Sequence, residues 1–231
     1  MRLDKFLSNK DICTRKDARR FLKQNNILIN GVPAKNVTDK LKEDDELIIN
    51  EYTFYVNEFK YFLFNKPAGV VCANADDLHE TIFDLMAFED FQADLFTVGR
   101  LDLDTTGLLL ITNDGKFSHS LMSPKRHVDK TYHVVCRDDI SDDSLKQLEE
   151  GVTIEYDYET MPAKTERLSD NEILLTISEG KFHQVKRMLL AVDNEVTELS
   201  RVSIGNLTIP EDLEIGEYDA YTKETLESLI Y

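Results

Sequence analysis

Apolar positions along the chain fall into two regimes. Between Arg2 and Ser8, Leu3, Phe6 and Leu7 are spaced by three and four, which is one face of a short helix. Asp11 to Thr14 breaks that spacing. Thr14 reads as the N-cap of a second helix, Arg15 to Gln24, with Asp17 as a capping-box partner and Ala18, Phe21 and Leu22 inward. Ile27-Leu-Ile-Asn-Gly31-Val runs a strand into an Asn-Gly turn, a strong hairpin signature, and Glu46 to Ile49 predicts another strand. Residues 51–60 lack periodicity and read as a linker. From Tyr61 onward strands dominate: Tyr61 to Phe64, Phe96 to Val98, a strand leaving at Leu108, Thr131 to Cys136, and Ile173 to Ile177. Asn113-Asp114-Gly115 reads as a hairpin turn. Ser141 predicts a capped helix ending at Gly151, Gln184 to Val192 turns Val185, Met188, Leu189 and Val192 to one face, and Lys223 to Leu229 follows Thr222. The pattern predicts an α+β chain. A small domain with its linker (1–57) precedes a larger domain (58–231) on a mixed, mainly antiparallel sheet with flanking helices.

Composition adds exclusions. The 231 residues are 42% hydrophobic and 31% charged, which rules out fibrous repeat and low-complexity disorder. The longest aliphatic run, Leu108 to Ile111, is far short of the ~20 residues a membrane helix needs. The N-terminal stretch has neither an apolar segment nor a small-residue cleavage site, so no signal peptide is expected. Cys13, Cys72 and Cys136 are odd in number and widely spaced, which fits a reducing compartment. A cytoplasmic monomer without a membrane partner is the expectation.

Charge changes the picture more. The formal net charge of −17 hides a split: residues 1–42 hold eleven Lys/Arg against four acids, a net +7, while the other 189 residues hold sixteen against forty, a net −24. A basic island on an acidic chain suits either a phosphate-binding module or a solvated helical face. Arg15, Lys16, Arg19, Arg20 and Lys23 would share the outer side of the second helix and repel one another unless an anion neutralises them. This order of helix, basic helix, strand and Asn-Gly resembles the alpha-L RNA-binding module. The resemblance implies that the five cations meet RNA phosphates, which position the protein without reading sequence.

Three stretches carry candidate chemistry. Gly99-Arg-Leu-Asp102-Leu-Asp104-Thr-Thr-Gly107 is a polar loop between apolar strands, where reactive groups are often held. Arg100 and Asp102 are two apart and point to one side if the backbone is extended; the plainer alternative is that the loop's Asp and Thr satisfy backbone donors. Glu179-Gly-Lys-Phe-His-Gln-Val-Lys-Arg-Met188 is a strand exit, a glycine turn and a basic helix start, whose cations oppose the helix dipole and call for a carboxylate or a phosphate nearby. Ser123 to Tyr132 is a basic loop entering a strand, and Tyr132 is either core or a stacking surface for a base.

Lys66-Pro67-x-Gly69, Gly99-Arg-Leu-Asp102-x-Asp-Thr-Thr-Gly107, Lys130-Thr-Tyr132 and the 179–188 stretch, in that order, resemble the motifs of the RsuA/RluB/E/F family of ribosomal RNA pseudouridine synthases. His183-Gln-Val-Lys-Arg187 is most like the RsuA branch, which implies uridine 516 of 16S rRNA as target, within a small-subunit assembly particle. The reaction cuts the bond between ribose and uracil N1, turns the base and rejoins it through C5, and it needs no cofactor and no metal. The resemblance implies Asp102 as the essential carboxylate, acting as nucleophile or base. It gives Lys186 the ion pair that favours the charged carboxylate, Tyr132 the stack on the flipped uracil, and Arg100, Lys130 and Arg187 substrate contacts. Asp104 is expected to tie the loop through backbone donors.

Three competing classes need different residues. A non-catalytic RNA-binding protein has no use for Asp102, Lys186 and Tyr132 together. A glycosidase needs two carboxylates at a set separation, and only Asp102 and Asp104 share a motif. A metal enzyme needs ligand spacing that the histidines lack. A large-subunit rRNA synthase of the same family is the nearest alternative, its members more often carrying Asn-Arg-Gln-Val-Arg-Arg at 182–187.

Overall fold

A computed structural model describes residues 1–231 apart from 43, 57–58, 88–89, 124–127 and 156. The expected boundary between 57 and 58, and Pro124 to His127 of the basic loop, lie outside the described residues. The chain forms two units: Met1–Phe59 with Ala87–Leu95, and Lys60–Met86 with Phe96–Tyr231.

The first unit holds helices α1 (Leu3–Asn9) and α2 (Ala18–Gln24) and strands β1 (Ile27–Ile29), β2 (Val32–Pro33), β3 (Glu46–Ile49) and β4 (Tyr52–Tyr55). Its sheet order is β2-β1-β3-β4. The β1–β2 hairpin turns on Asn30 and Gly31, both at positive φ (48° and 76°), the backbone the Asn-Gly pair predicts. Leu3, Phe6, Leu7 and Ala18 pack with Ile27 and Leu47 as its core. Two expectations change. The second helix starts at Ala18, because Thr14 and Asp17 bond each other in a turn ahead of it: Thr14 Oγ1 donates to Asp17 Oδ2 at 2.6 Å. Residues 52–55, expected to be linker, pair with β3 in the register Ile49↔Tyr52 to Glu46↔Tyr55. Their aromatic side chains favour a strand, but only Phe54 turns inward, against Phe6, so no alternation of apolar residues marks it.

The second unit runs β5 (Tyr61–Lys66), β6 (Phe96–Thr97), β7 (Thr106–Thr112), α3 (Gly115–Met122), β8 (Lys130–Cys136), α4 (Asp142–Glu150), β9 (Thr153–Ile154) and β10 (Tyr158–Glu159). It continues with β11 (Lys164–Arg167), β12 (Glu172–Ile177), α5 (Gln184–Ala191), β13 (Val196–Ile204), β14 (Leu207–Thr208), β15 (Tyr218–Ala220) and α6 (Lys223–Ile230). The main sheet is ordered β11-β12-β8-β13-β7-β5-β15, with β14 on β13 and β6 on β7. Its described pairs are antiparallel except β13 with β7, where Arg201 lies opposite Gly107. The mixed, mainly antiparallel sheet with flanking helices is the one expected. Leu63, Leu108 and Leu110 on the sheet pack against Phe117 and Leu121 of α3 and Leu226 and Ile230 of α6.

Local chemistry starts the helices. Ser141 Oγ accepts from Ser144 N, and Thr222 Oγ1 from Thr225 N, as N-caps do. Asn113-Asp114-Gly115 is not a hairpin turn. Asp114 caps α3, accepting from Lys116 N and Phe117 N, and it also takes Tyr61 Oη at 2.9 Å and Lys223 Nζ at 3.2 Å. A buried carboxylate with four donors fixes the chain's exit from β7, which a free turn would not.

Candidate active site

The loop between β6 and β7 is pinned by backbone contacts before any of its side chains act. Lys66, at the end of the fully buried β5, is itself without exposure. Its Nζ donates to the carbonyls of Pro67 (2.9 Å), Asp102 (3.1 Å) and Thr105 (2.9 Å). Gly69 N donates to Leu103 O at 2.7 Å, and Leu101 N to Cys72 Sγ at 3.4 Å. Burial depresses the Lys66 pKa, with Cys72, Asp104 and Asp102 opposing it. A desolvated ammonium needs such acceptors, and these acceptors are the loop that carries Asp102. The Lys66-Pro67-x-Gly69 motif is therefore a clamp as well as a turn, a role its residue types alone do not show.

Asp102 emerges half-buried. Lys186 Nζ, from the first turns of α5, sits 3.1 Å from Asp102 Oδ2 and 2.6 Å from Asp104 Oδ1, and His183 Nε2 lies 3.4 Å from Asp102 Oδ1. Burial disfavours the Lys186 ammonium, but its bonds to Asp104 and Asp102 outweigh that and raise its pKa above the ordinary value. Asp104 departs from expectation: its carboxylate is mostly exposed, and the Lys186 hydrogen bond is the main influence holding its pKa low, ahead of its own backbone amide. The carboxylates that offset α5's cations are thus Asp102 and Asp104 for Lys186, and Glu155 for Arg187 at 2.8 Å.

Asp102 opens on a cavity of ≈ 540 Å³, within the range of small-molecule sites. Arg100, Lys130, Tyr132, Lys186 and Arg201 line it too. Tyr132 is 8% exposed, so its ring is both core and cavity wall. Lys130 is buried, donates to Val128 O at 2.8 Å, and has its pKa pushed down to about 8 by burial first and by the Arg201 guanidinium second. The cavity brings together Arg100, Asp102, Lys130, Tyr132 and Lys186, which the family resemblance had grouped. The sequence reading missed Arg201, whose sequence signal is a lone cation in an otherwise ordinary strand. Arg187 is not among the cavity's lining residues; Glu155 holds its guanidinium, which lies 5.0 Å from the Phe182 ring centroid. Among the described residues no three His, Cys, Asp or Glu side chains converge as a metal site requires.

In the other unit Arg15, Lys16, Arg19, Arg20 and Lys23 are all exposed, as both a phosphate-binding surface and a solvated face require. Arg15 and Arg20 are partly answered within the protein, by Asp4 at 3.4 Å and Asp17 at 2.8 Å. Burial alone would raise the Asp4 pKa, but Arg2 and Arg15 outweigh it and hold it below the usual carboxylate range. Lys16, Arg19 and Lys23 make no ion pair among the described residues.

Residues 60–191 match the family of RNA pseudouridylate synthases, and residues 1–47 match the S4 domain. A Bacillus subtilis protein named uncharacterized RNA pseudouridine synthase YtzG is 43% identical, over 99% of this chain and 98% of its own. The ribosomal small subunit pseudouridine synthases A of Haemophilus influenzae and Escherichia coli K12 are 40% and 38% identical over the full length of both chains. A crystal structure of a pseudouridylate synthase, 39% identical, superposes over the whole of both chains with a TM-score of 0.70.

Proposed function

This chain belongs to the RNA pseudouridylate synthase family, and we propose that it isomerises one uridine of small-subunit ribosomal RNA, uridine 516 of 16S rRNA in the usual bacterial numbering, with Asp102 as the reacting carboxylate. The observation that carries the assignment of Asp102 is its carboxylate, 3.1 Å from Lys186 Nζ, at the wall of a cavity that Tyr132 also lines. The relatives named ribosomal small subunit pseudouridine synthase A support the substrate.

The reaction asks little else of the protein. The C1′–N1 bond of uridine breaks with its electron pair going to N1. Asp102 either bonds the electron-poor ribose or takes a ribose proton, and Lys186 ion-pairs with the same carboxylate. The detached uracil turns on the Tyr132 ring and C5 bonds to C1′, which either displaces the Asp102 carboxylate from the ribose or is accompanied by return of the ribose proton. C5 then loses its proton and N1 gains one, so product and substrate are isomers and Asp102 is regenerated. Taking the base out of its stack costs a few kcal/mol, offset by stacking on Tyr132, by contacts from Arg100, Lys130 and Arg187 to the substrate, and by phosphate contacts from the S4 domain. The enzyme acts as a cytoplasmic monomer on an assembling small-subunit particle.

Mapping pseudouridines in rRNA from cells with and without the gene tests the assignment. Loss of the mark at position 516 of 16S rRNA alone is the expected result. A mark retained there, or lost from large-subunit rRNA instead, overturns it.

Tyr132 gives a second expectation. Base stacking on an aromatic ring contributes ~1–3 kcal/mol, so Tyr132→Ala should lower single-turnover pseudouridine formation by about 5- to 150-fold. Tyr132→Phe keeps the ring; if the hydroxyl takes the C5 proton, this variant stalls after glycosidic cleavage and accumulates detached base. Full activity in Tyr132→Ala would remove Tyr132 from the site.

The basic helix gives a third. Each phosphate contact contributes ~0.7–0.9 to the slope of log-affinity against log-salt, so neutralising Lys16, Arg19 and Lys23 together should lower the slope by about 2–3. Turnover at saturating RNA should be unaffected. An unchanged slope in a salt titration of RNA binding would make these cations a solvated face only.

A further inference from the structure

Arg201 is the largest of the fully buried side chains and carries a permanent charge. Its position follows from the sheet. On β13 it lies opposite Tyr132 of β8 on one side and Gly107 of β7 on the other. Cross-strand partners share a face, and Lys130, two residues before Tyr132, shares it as well. Lys130, Tyr132 and Arg201 therefore form one patch of the cavity wall. Arg201 Nε donates to Leu108 O at 2.8 Å, but its Nη2 is buried and has no partner among the described residues. No described carboxylate pairs with Lys130 or Arg201: Asp129 is engaged by Lys164 at 2.8 Å, and Asp102 by Lys186.

Two buried cations without a counter-ion, one of them with an unmade hydrogen bond, are costly in the free protein. Arrangements of that kind persist where an anion arrives during turnover. Resting on the pseudouridine synthase reading above, the geometry points to Arg201, assisted by Lys130, as the group that holds the detached uracil as an anion beside Tyr132. When C1′–N1 breaks, the electron pair left on N1 spreads over O2 and O4. The Arg201 Nη2 hydrogens bond one of these oxygens and the Lys130 ammonium lies on the same side. The charge is discharged when C5 bonds to C1′ and the C5 proton is exchanged for one at N1, so neither cation is consumed. Burial first and Arg201 second lower the pKa of Lys130 to about 8, against the opposing pull of Asp129, so its ammonium is disfavoured in the free protein and an arriving anion would restore it.

The test is leaving-group sensitivity. Fluorine at C5 withdraws electrons and makes the uracil anion more stable without altering the RNA phosphates. Single-turnover glycosidic cleavage is measured on a 16S rRNA fragment carrying uridine or 5-fluorouridine at the target, with wild type and Arg201→Gln. Loss of one preorganised donor to a developing anion costs roughly 100-fold, so Arg201→Gln should slow uridine by about that much and 5-fluorouridine by only about tenfold. Equal losses on the two RNAs overturn the inference, as does an undiminished rate; a weakened affinity with equal losses assigns Arg201 to an RNA phosphate instead. If Arg201→Gln does not fold, Lys130→Gln is read the same way: an unequal loss supports the inference and equal losses overturn it. Wild type inert toward both RNAs overturns the rRNA reading, and this inference with it, whereas wild-type cleavage with equal losses in the variant overturns this inference alone.

Discussion

Asp102→Asn is expected to abolish pseudouridine formation while RNA binding stays within a few-fold. The substitution keeps size and hydrogen-bonding capacity and removes the negative charge and the nucleophilic oxygen. The main chain of residue 102 stays pinned, because Lys66 binds its carbonyl and not its side chain. Lys186 keeps Asp104 as partner at 2.6 Å, so the cavity wall is not left with a newly orphaned cation. The loss is therefore chemical, at least about 10³-fold, in line with a positioned carboxylate acting on the reacting atoms. Asp104→Asn is the contrast. Its exposed ion pair is worth at most about 1 kcal/mol, so activity should stay within about tenfold. Tritium release from C5-labelled RNA reads both variants. Near-wild-type release by Asp102→Asn would remove the core of the proposal, and a folded but inert Asp104→Asn would move the reacting carboxylate to position 104.

Gly107→Ala should give the largest loss of stability, more than about 3 kcal/mol. Gly107 holds φ at +101°, a conformation that L side chains rarely adopt. A Cβ there would stand 2.9 Å from Arg201 N and 2.8 Å from Ser200 Oγ, and closer still to the Arg201 carbonyl oxygen. Two of those atoms belong to the β13 backbone and cannot swing aside, so β7 and β13 must part at their parallel joint. That movement carries Arg201 away from Tyr132 as well. Gly180→Ala is the control, because a Cβ there meets nothing within 4 Å, and it should stay within about 0.5 kcal/mol. Denaturant unfolding of the full chain compares them. Equal midpoints for the two variants would mean that β13 has room to yield.

What could be read from the chain alone was whatever rests on neighbours in sequence. The Asn30-Gly31 hairpin, the Ser141 and Thr222 caps and the inward face of α5 depend on a handful of adjacent residues, and each stands where its pattern put it. The cavity's Arg100, Asp102, Lys130, Tyr132 and Lys186 were legible because four ordered motifs resemble those of a known family, which groups them. Contacts between distant segments were not legible. Asp114 looked like a turn residue until Tyr61 and Lys223, 53 and 109 positions away, supplied donors that keep it buried as a cap. Phe54 belongs to a strand because β3 pairs beside it, not because of any alternation around it. Lys66 becomes a clamp only when the 102–105 carbonyls fold over its ammonium. Arg201 reaches the cavity only because Gly107 lets β13 lie parallel against β7. A burial cost and the bonds that offset it come from different parts of the chain, so only the tertiary structure decides which polar residues can be buried.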